Sequence, residues 1–189
     1  MFKYCSLYSG SSGNSFFVQS DNTNILIDAG VSSKKIVSAL SEFNIDINNI
    51  DAILVTHEHS DHTKSLATLS NKYNIPVYAN KKTWNALSNV SEKIAEKNRK
   101  FFTVTQNFNI GDFEIFAFPI PHDAADPCGF NIFYENKKIT VATDIGHISP
   151  ELLEHLKNSV SILLESNYDP EILKYSSYPY LLKRRILRR

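Results

Sequence analysis

The chain has few cysteines and no long apolar run. Its 189 residues include two cysteines, Cys5 and Cys128, and this number and spacing predict neither a disulfide framework nor a cysteine metal site. The start, Met-Phe-Lys-Tyr-Cys-Ser, lacks the apolar core of a signal peptide, and no stretch approaches the length needed to cross a bilayer. We therefore expect a cytoplasmic protein with no membrane partner.

The chain also has no excess of charge of either sign. Twenty Lys and Arg residues balance twenty Asp and Glu residues, so net charge cannot attract a polyanion, and any such partner must be bound by a local group of residues. A chain of this length with 42% hydrophobic residues can bury one sizeable core. Because repeats, low-complexity segments and long linkers are absent, the sequence predicts a single globular domain over residues 1–189.

Short strands alternate with helices along the sequence. The predicted strands are 2–8, 15–19, 24–28, 52–56, 76–79, 101–105, 113–118, 129–134, 138–143 and 160–164. The predicted helices are 34–43, 63–73, one that begins near Lys81, and 150–157. The stretch 91–100 is too charged for an assignment. The pattern predicts an α/β fold of the αββα sandwich type, whose second helical layer has barely begun where the sequence ends.

The most informative segment follows the apolar run 52–55. It reads His57-Glu58-His59-Ser60-Asp61-His62. Two imidazoles two positions apart in an extended segment point the same way, and a tight turn would bring the following aspartate and histidine beside them. The segment therefore predicts a metal site, with one ion at the first histidine pair and a second at the Asp-His pair. The competing interpretation, a polar loop, is disfavoured because this spacing seldom arises by chance.

Two further residues are candidate ligands because of their local context. His122 follows an apolar strand within Pro119-Ile120-Pro121, where the prolines hold the segment extended. Asp144 directly follows the strand predicted over 138–143. A carboxylate there has the two oxygens needed to bridge two cations. Each has an ordinary alternative, because an isolated histidine is often a hydrogen-bonded surface group and Asp144 could simply cap a turn.

Taken together, these residues resemble the metallo-β-lactamase fold superfamily, and more closely its YycJ/WalJ-type branch of bacterial exonucleases. The resemblance rests on residues 9–15, 27–30, 56–62, 121–124, 143–144, 165–167 and 183–186. The histidine motif is specific to the superfamily but does not indicate a substrate. The glycine-serine segment near the start and Lys-Arg-Arg-Ile near the end indicate the branch.

The resemblance implies a site with two divalent metal ions. It implies six metal ligands: His57, His59 and His122 for one ion, Asp61 and His62 for a second, and Asp144 bridging the two. Asp28 would support the ligands as a hydrogen-bond acceptor, and Asp61 or Asp144 would orient a metal-activated water or accept its proton. A ligand set that consists mostly of imidazoles favours zinc, while a bridging carboxylate is also compatible with manganese or iron.

The sequence departs from the branch near its end. Relatives continue past residues 183–186 into a glycine turn with one more histidine, the last ligand of the second metal, whereas this sequence ends at Arg189. His147 and His155, the remaining histidines, do not match that position. We therefore hypothesise a C-terminally truncated chain whose second metal site is weakened.

Three functions are compatible with these residues. The first is a phosphodiesterase or exonuclease that acts on nucleic acid, with the basic residues Lys183, Arg184, Arg185, Arg188 and Arg189 meeting phosphates. A solvated tail is the competing interpretation of that basic segment. The second is a hydrolase of small thioesters or lactones, which uses the same ligands on the same fold. The third is a catalytically impaired remnant that serves as a binding or structural module.

Overall fold

Two β-sheets pack face to face in the computed structural model, which describes residues 1–164, 170–180 and 183. The first sheet contains, in spatial order, β1 (Lys3–Tyr8), β2 (Ser15–Gln19), β3 (Asn24–Ile27), β4 (Ala52–Leu54), β5 (Val77–Asn80) and β6 (Arg99–Phe102). Strands β1 to β3 are antiparallel, whereas β3 to β6 are parallel. The parallel strands therefore all end at one edge of the sheet, where loops of different origin meet.

The second sheet has five strands. In spatial order they are β11 (Ser161–Leu164), β10 (Lys137–Ala142), β9 (Cys128–Tyr134), β8 (Phe113–Pro119) and β7 (Asn107–Ile110). Strands β7 to β10 form an antiparallel meander, and β11 pairs with β10 in parallel. The turn between β9 and β10 falls at residues 135–136, between the strands predicted over 129–134 and 138–143.

Helices cover the outer faces of both sheets. They are α1 (Ser33–Glu42), α2 (Ser60–Thr63), α3 (Leu66–Tyr73), α4 (Lys81–Ala86), α5 (Ser88–Ser91), α6 (Pro150–Leu156) and α7 (Pro170–Tyr175). The start of α6 is capped, since the Ser149 hydroxyl accepts a hydrogen bond from the Leu152 amide and Pro150 follows at the first helical position. No helix in the described ranges is apolar over enough residues to reach across a bilayer.

Strand alternation distributes the core over three layers. In β3, Ile25 and Ile27 pack between the two sheets, while Leu26 faces the helices of the first sheet. A third cluster lies beyond the second sheet, where Leu152 of α6 packs against Phe118 of β8. The order of layers is therefore helices, sheet, sheet and helix, which confirms the predicted αββα architecture.

The structure corrects the sequence analysis at three elements. Strand β7 was not predicted, and the strand expected over 101–105 runs from Arg99 to Phe102. Both are edge strands with many exposed residues, so their hydrophobic pattern is weak. The helix expected over 63–73 is divided into α2 and α3, because the Ser65 amide and hydroxyl both donate to the Ala29 carbonyl, at 2.9 and 3.1 Å.

Candidate metal centre

Loops from both sheets meet where the parallel strands of the first sheet end. His57, His59 and His62 follow β4, and Asp28 follows β3. From the second sheet, residue 122 follows β8 and residue 144 follows β10. The centre therefore joins segments that are far apart in the sequence, and both sheets contribute to it.

Three imidazoles form the first candidate ligand group: His57, His59 and His122. The Nδ1 atom of His59 lies 3.1 Å from Nε2 of His57 and 3.2 Å from Nε2 of His122. Nitrogens bound to one tetrahedral zinc ion at 2.0–2.1 Å would be about 3.3 Å apart. The three nitrogens thus fit a single ion, and the rings meet nearly edge to face, at interplanar angles of 78 to 81°.

The second candidate group consists of His57, His62 and Asp144. Asp144 Oδ2 lies 2.7 Å from Nε2 of His62 and 3.6 Å from Nε2 of His57. This oxygen is buried, and its separation of 2.7 Å from Nε2 of His62 requires a proton or a cation between the two atoms. A buried acceptor aimed at ring nitrogens fits a cation between them. His57 belongs to both groups, so the two candidate sites are adjacent.

Asp28 fixes the orientation of His62 from behind. The Asp28 carboxylate is fully buried and its Oδ2 lies 2.7 Å from Nδ1 of His62. The same carboxylate accepts hydrogen bonds from the backbone amide and the hydroxyl of Thr56, at 2.9 and 2.8 Å. His62 therefore presents Nε2 to the centre, and Asp28 occupies the supporting position that the resemblance implied.

The two buried histidines have opposite electrostatic environments. Burial lowers the pKa of His57 to about 2, and the nearby positive charge of His62 adds to this effect. Burial also lowers the pKa of His62, but the carboxylates of Asp28 and Asp144 outweigh it and raise that pKa to about 10. His57 is therefore neutral with a free lone pair near pH 7, whereas a metal that takes Nε2 of His62 must displace a proton.

The turn that precedes β2 borders the centre. Asn14 is buried, its Nδ2 lies 3.0 Å from Nε2 of His62, and its backbone amide donates to the Asp61 carbonyl at 2.8 Å. Close packing here requires glycine at position 30, because a Cβ atom there would lie 1.6 Å from the Asp61 carbonyl oxygen. This turn belongs to the segments that resemble the YycJ/WalJ-type branch, but no pattern in the sequence indicates a role for Asn14.

Glu58 connects the histidine motif to the loop that carries His122. Its Oε1 accepts a hydrogen bond from the Ala125 amide at 2.8 Å. Asn80, at the end of β5, holds the same loop by donating its side-chain amide to the Asp126 carbonyl at 2.8 Å. No local pattern indicates these contacts, because the bonded residues lie 67 and 46 positions apart in the sequence.

The remaining predicted residues have different positions. Asp61 lies outside both ligand groups, although its Oδ2 is 3.6 Å from Nε2 of His62. His147 is exposed, and His155 of α6 stacks on the Phe118 ring, with centroids 4.6 Å apart. The arginines at 184, 185, 188 and 189 and the segment 165–168 lie outside the described residues.

A family model supplies the decisive comparison. The model described as the beta-lactamase superfamily domain matches residues 23–175, which include every candidate ligand. The chain belongs to the metallo-β-lactamase superfamily. Among its relatives is "Exodeoxyribonuclease YycJ" of Bacillus anthracis, which is 40% identical over 181 residues, covering 96% of this chain and 69% of the relative. "Exodeoxyribonuclease WalJ" of Streptococcus pneumoniae is also 40% identical, covering 98% of this chain and 70% of the relative.

Solved structures of this superfamily share the fold. Zinc-bound PqqB from Methylobacterium extorquens has a TM-score of 0.70 at 16% identity, over 85% of this chain and 63% of that protein. YhfI from Bacillus subtilis has a TM-score of 0.64 at 16% identity, over 78% of this chain and 64% of that protein. The chain thus spans about 70% of the length of the YycJ and WalJ relatives and less than two thirds of the length of these structures. The identity to the relatives shows that, within the superfamily, the chain belongs to the YycJ/WalJ family.

Proposed function

We propose that this metallo-β-lactamase superfamily member is a metal-dependent phosphodiesterase that removes nucleotides from DNA ends. The observation that carries the proposal is the 40% identity to exodeoxyribonucleases over nearly the whole chain. The two adjacent ligand groups support it, because phosphodiester hydrolysis commonly uses two cations a few ångströms apart. The thioester or lactone hydrolases and the impaired remnant have no comparable observation in their favour.

The ligands favour a divalent ion that accepts both imidazole and carboxylate. We propose zinc at the three-histidine group, since imidazole nitrogens suit it, with manganese or iron as the alternatives. When bound, such an ion lowers the pKa of a coordinated water toward neutrality and polarises the phosphoryl group. His57 is suited to ligation because burial keeps it unprotonated at neutral pH.

The two aspartates of the centre serve the attacking water. Asp61 has a side chain that is 33% exposed, and its Oδ2 lies 3.6 Å from Nε2 of His62, so its carboxylate can orient a water molecule and accept its proton. Asp144 is less exposed, at 17%, and its Oδ2 lies between His57 and His62. We propose that Asp144 mainly holds the two ligand groups together. It takes part in proton transfer only together with Asp61.

The test is hydrolysis of end-labelled DNA by the chain supplied with Mn²⁺ or Zn²⁺. Duplex and single-stranded DNA labelled at the 5′ or the 3′ end should release short products progressively from one end. His122→Ala removes one of three nitrogens of the first group and should reduce the rate more than about 100-fold. His147→Ala is the matched control, because this histidine is exposed and outside both groups, and it should retain the parental rate.

Two results would contradict the proposal. One is absence of DNA hydrolysis by a fully metal-loaded chain that does hydrolyse a generic thioester or lactone, which would favour the small-molecule alternative. The other is absence of any turnover with full metal loading, which would favour the remnant. Equal rates for His122→Ala and His147→Ala would show that the metal centre described above does not take part in the reaction.

A further inference from the structure

Asn14 carries a side-chain amide whose orientation is fixed. Its Oδ1 accepts a hydrogen bond from the Gly10 amide at 3.0 Å, and its Nδ2 donates to the Gly10 carbonyl at 3.3 Å. An amide rotated by half a turn would place its NH₂ group against the Gly10 N–H, so one orientation alone satisfies both contacts. The NH₂ group therefore faces the metal centre.

The backbone of Asn14 is equally well anchored. Its N–H donates to the Asp61 carbonyl, and its carbonyl accepts from the Gly30 amide, both at 2.8 Å. Asn14 is 8% exposed. Because Asp61 belongs to the histidine motif, the amide keeps a fixed position relative to His62 and does not depend on the mobility of an exposed loop.

The second N–H of this amide is directed at the metal centre. Nδ2 lies 3.0 Å from Nε2 of His62. Both ring nitrogens of His62 face carboxylate oxygens at 2.7 Å, namely Asp28 at Nδ1 and Asp144 at Nε2. A metal bound at Nε2, as proposed above, would occupy that lone pair and leave none to accept from Asn14. The amide hydrogen is directed at a position where an anionic oxygen would complete its hydrogen bonding.

We propose that Asn14 donates this hydrogen bond to a non-bridging phosphate oxygen of the substrate. The proposal rests on the proposed phosphodiesterase function and names a specific contact for it. Asn14 would act as a neutral donor beside the ligand groups, so that it binds the phosphate without competing for a metal. The turn between β1 and β2 would then contribute a single substrate-binding side chain, that of Asn14.

The test compares three single substitutions in the chain loaded with Mn²⁺. Asn14→Asp retains an oxygen for the Gly10 amide but removes the N–H donors, and Asn14→Ala removes the donor without adding charge. Ser12→Ala is the control, because Ser12 is an exposed residue of the same turn. Binding of thymidine 5′-monophosphate is measured by calorimetry beside thymidine, and bound metal by mass spectrometry.

We expect both Asn14 variants to bind thymidine 5′-monophosphate at least about 10-fold more weakly than the parent, since a hydrogen bond to a charged group is lost. Thymidine binding and manganese content should be unchanged, and Ser12→Ala should match the parent. With bis(p-nitrophenyl) phosphate as substrate, the Asn14 variants should lose kcat/KM, and their melting temperatures should stay above the assay temperature.

Three outcomes would overturn the inference. The first is nucleotide affinity within twofold of the parent in either Asn14 variant. The second is a loss of affinity that appears only together with a loss of metal, since Asn14 would then position His62 and not contact the phosphate. The third is a parent chain that binds the nucleotide no better than thymidine. Failure to degrade DNA would contradict the proposed function alone, because nucleotide affinity is measured separately.

Discussion

His57 contributes the same nitrogen, Nε2, to both candidate ligand groups. One nitrogen lone pair can bind one ion. If the three-histidine group is filled first, the second ion keeps His62 and Asp144, with Asp61 Oδ2 3.6 Å from the His62 nitrogen. The two sites are therefore unequal in the number and type of donors.

We accordingly expect two classes of metal binding. Titration with Zn²⁺ against a chromophoric chelator should give one tight equivalent per chain and a second that is on the order of 10-fold weaker or more. Asp144→Asn should weaken the second equivalent and leave the first largely intact. Two equivalents of equal affinity would show that His57 does not limit the second site.

Glu58 is expected to position His122 through the loop between them. Glu58→Ala removes the acceptor of the Ala125 amide and should lower metal affinity at the three-histidine group about 10-fold, as for other residues that orient ligands. Glu58→Gln retains an oxygen for that amide and is the matched control. The same chelator competition measures both, and an unchanged affinity in Glu58→Ala would contradict this role.

At the scale of elements, α6 contains a histidine that packs against the second sheet and lies outside the two candidate ligand groups of the described residues. His155 stacks on Phe118, and burial lowers its pKa, with the nearby Lys138 acting in the same direction. The folded chain thus favours neutral His155 more than the unfolded chain does. Its contribution to stability is fully present above the unfolded-state pKa of about 6.5 and is lost as the pH falls from there through the lower folded-state pKa.

His155→Phe should remove this part of the pH dependence. We expect the free energy of unfolding of the variant to fall less than that of the parent between pH 7.5 and pH 5.5, because phenylalanine can stack but cannot be protonated. Urea unfolding at the two pH values, with chelator present to exclude metal effects, measures the difference. Identical losses in both proteins would show that His155 does not contribute to acid sensitivity.

Sequence patterns predicted elements well where one pattern dominated. Strands β3 and β4 are buried on both faces and appear as continuous apolar runs. Strand β7 escaped prediction because Asn107 and Asn109 alternate with two apolar residues in an exposed edge strand. The break between α2 and α3 could not be foreseen, since it depends on Ser65 bonding to Ala29, 36 positions earlier.

For the centre, the motif at 57–62 was visible because local spacing alone brings those side chains together. His122 and Asp144 lie near this motif only because the two sheets pack together. In the sequence, the sole indication was that each of these residues follows a predicted strand. Asn14 carried no signal, because an asparagine among serines and glycines usually indicates a turn.

At the scale of the whole molecule, a bound ion would link the two sheets. His57 and His59 follow a strand of the first sheet, and His122 follows β8 of the second. A ligand that binds only the folded chain stabilises it by mass action, by about 2.7 kcal/mol at a concentration 100 times its dissociation constant. The metal should therefore contribute to the cohesion of the sandwich as well as to chemistry.

Thermal unfolding with Zn²⁺ and with excess chelator tests this contribution. The parent and His147→Ala should melt several degrees higher with metal, as expected for a stabilisation of this size in a chain of this length. His122→Ala should lose most of the difference, since it removes the nitrogen contributed by the second sheet. An equal metal-dependent shift in His122→Ala would show that ions bind without joining the sheets.

Asp28 and Asp144 both adopt left-handed backbone conformations, with φ of 61° and 53°. Residues with a Cβ atom adopt this geometry less readily than glycine, although aspartate and asparagine tolerate it better than most. Glycine at either position would relax the main chain but delete a carboxylate of the centre. Replacing Asp28 by glycine should therefore cost stability as well as reactivity, because the buried amide and hydroxyl of Thr56 would lose their acceptor. Relief of backbone strain is thus no route to a more stable form of this protein at that position.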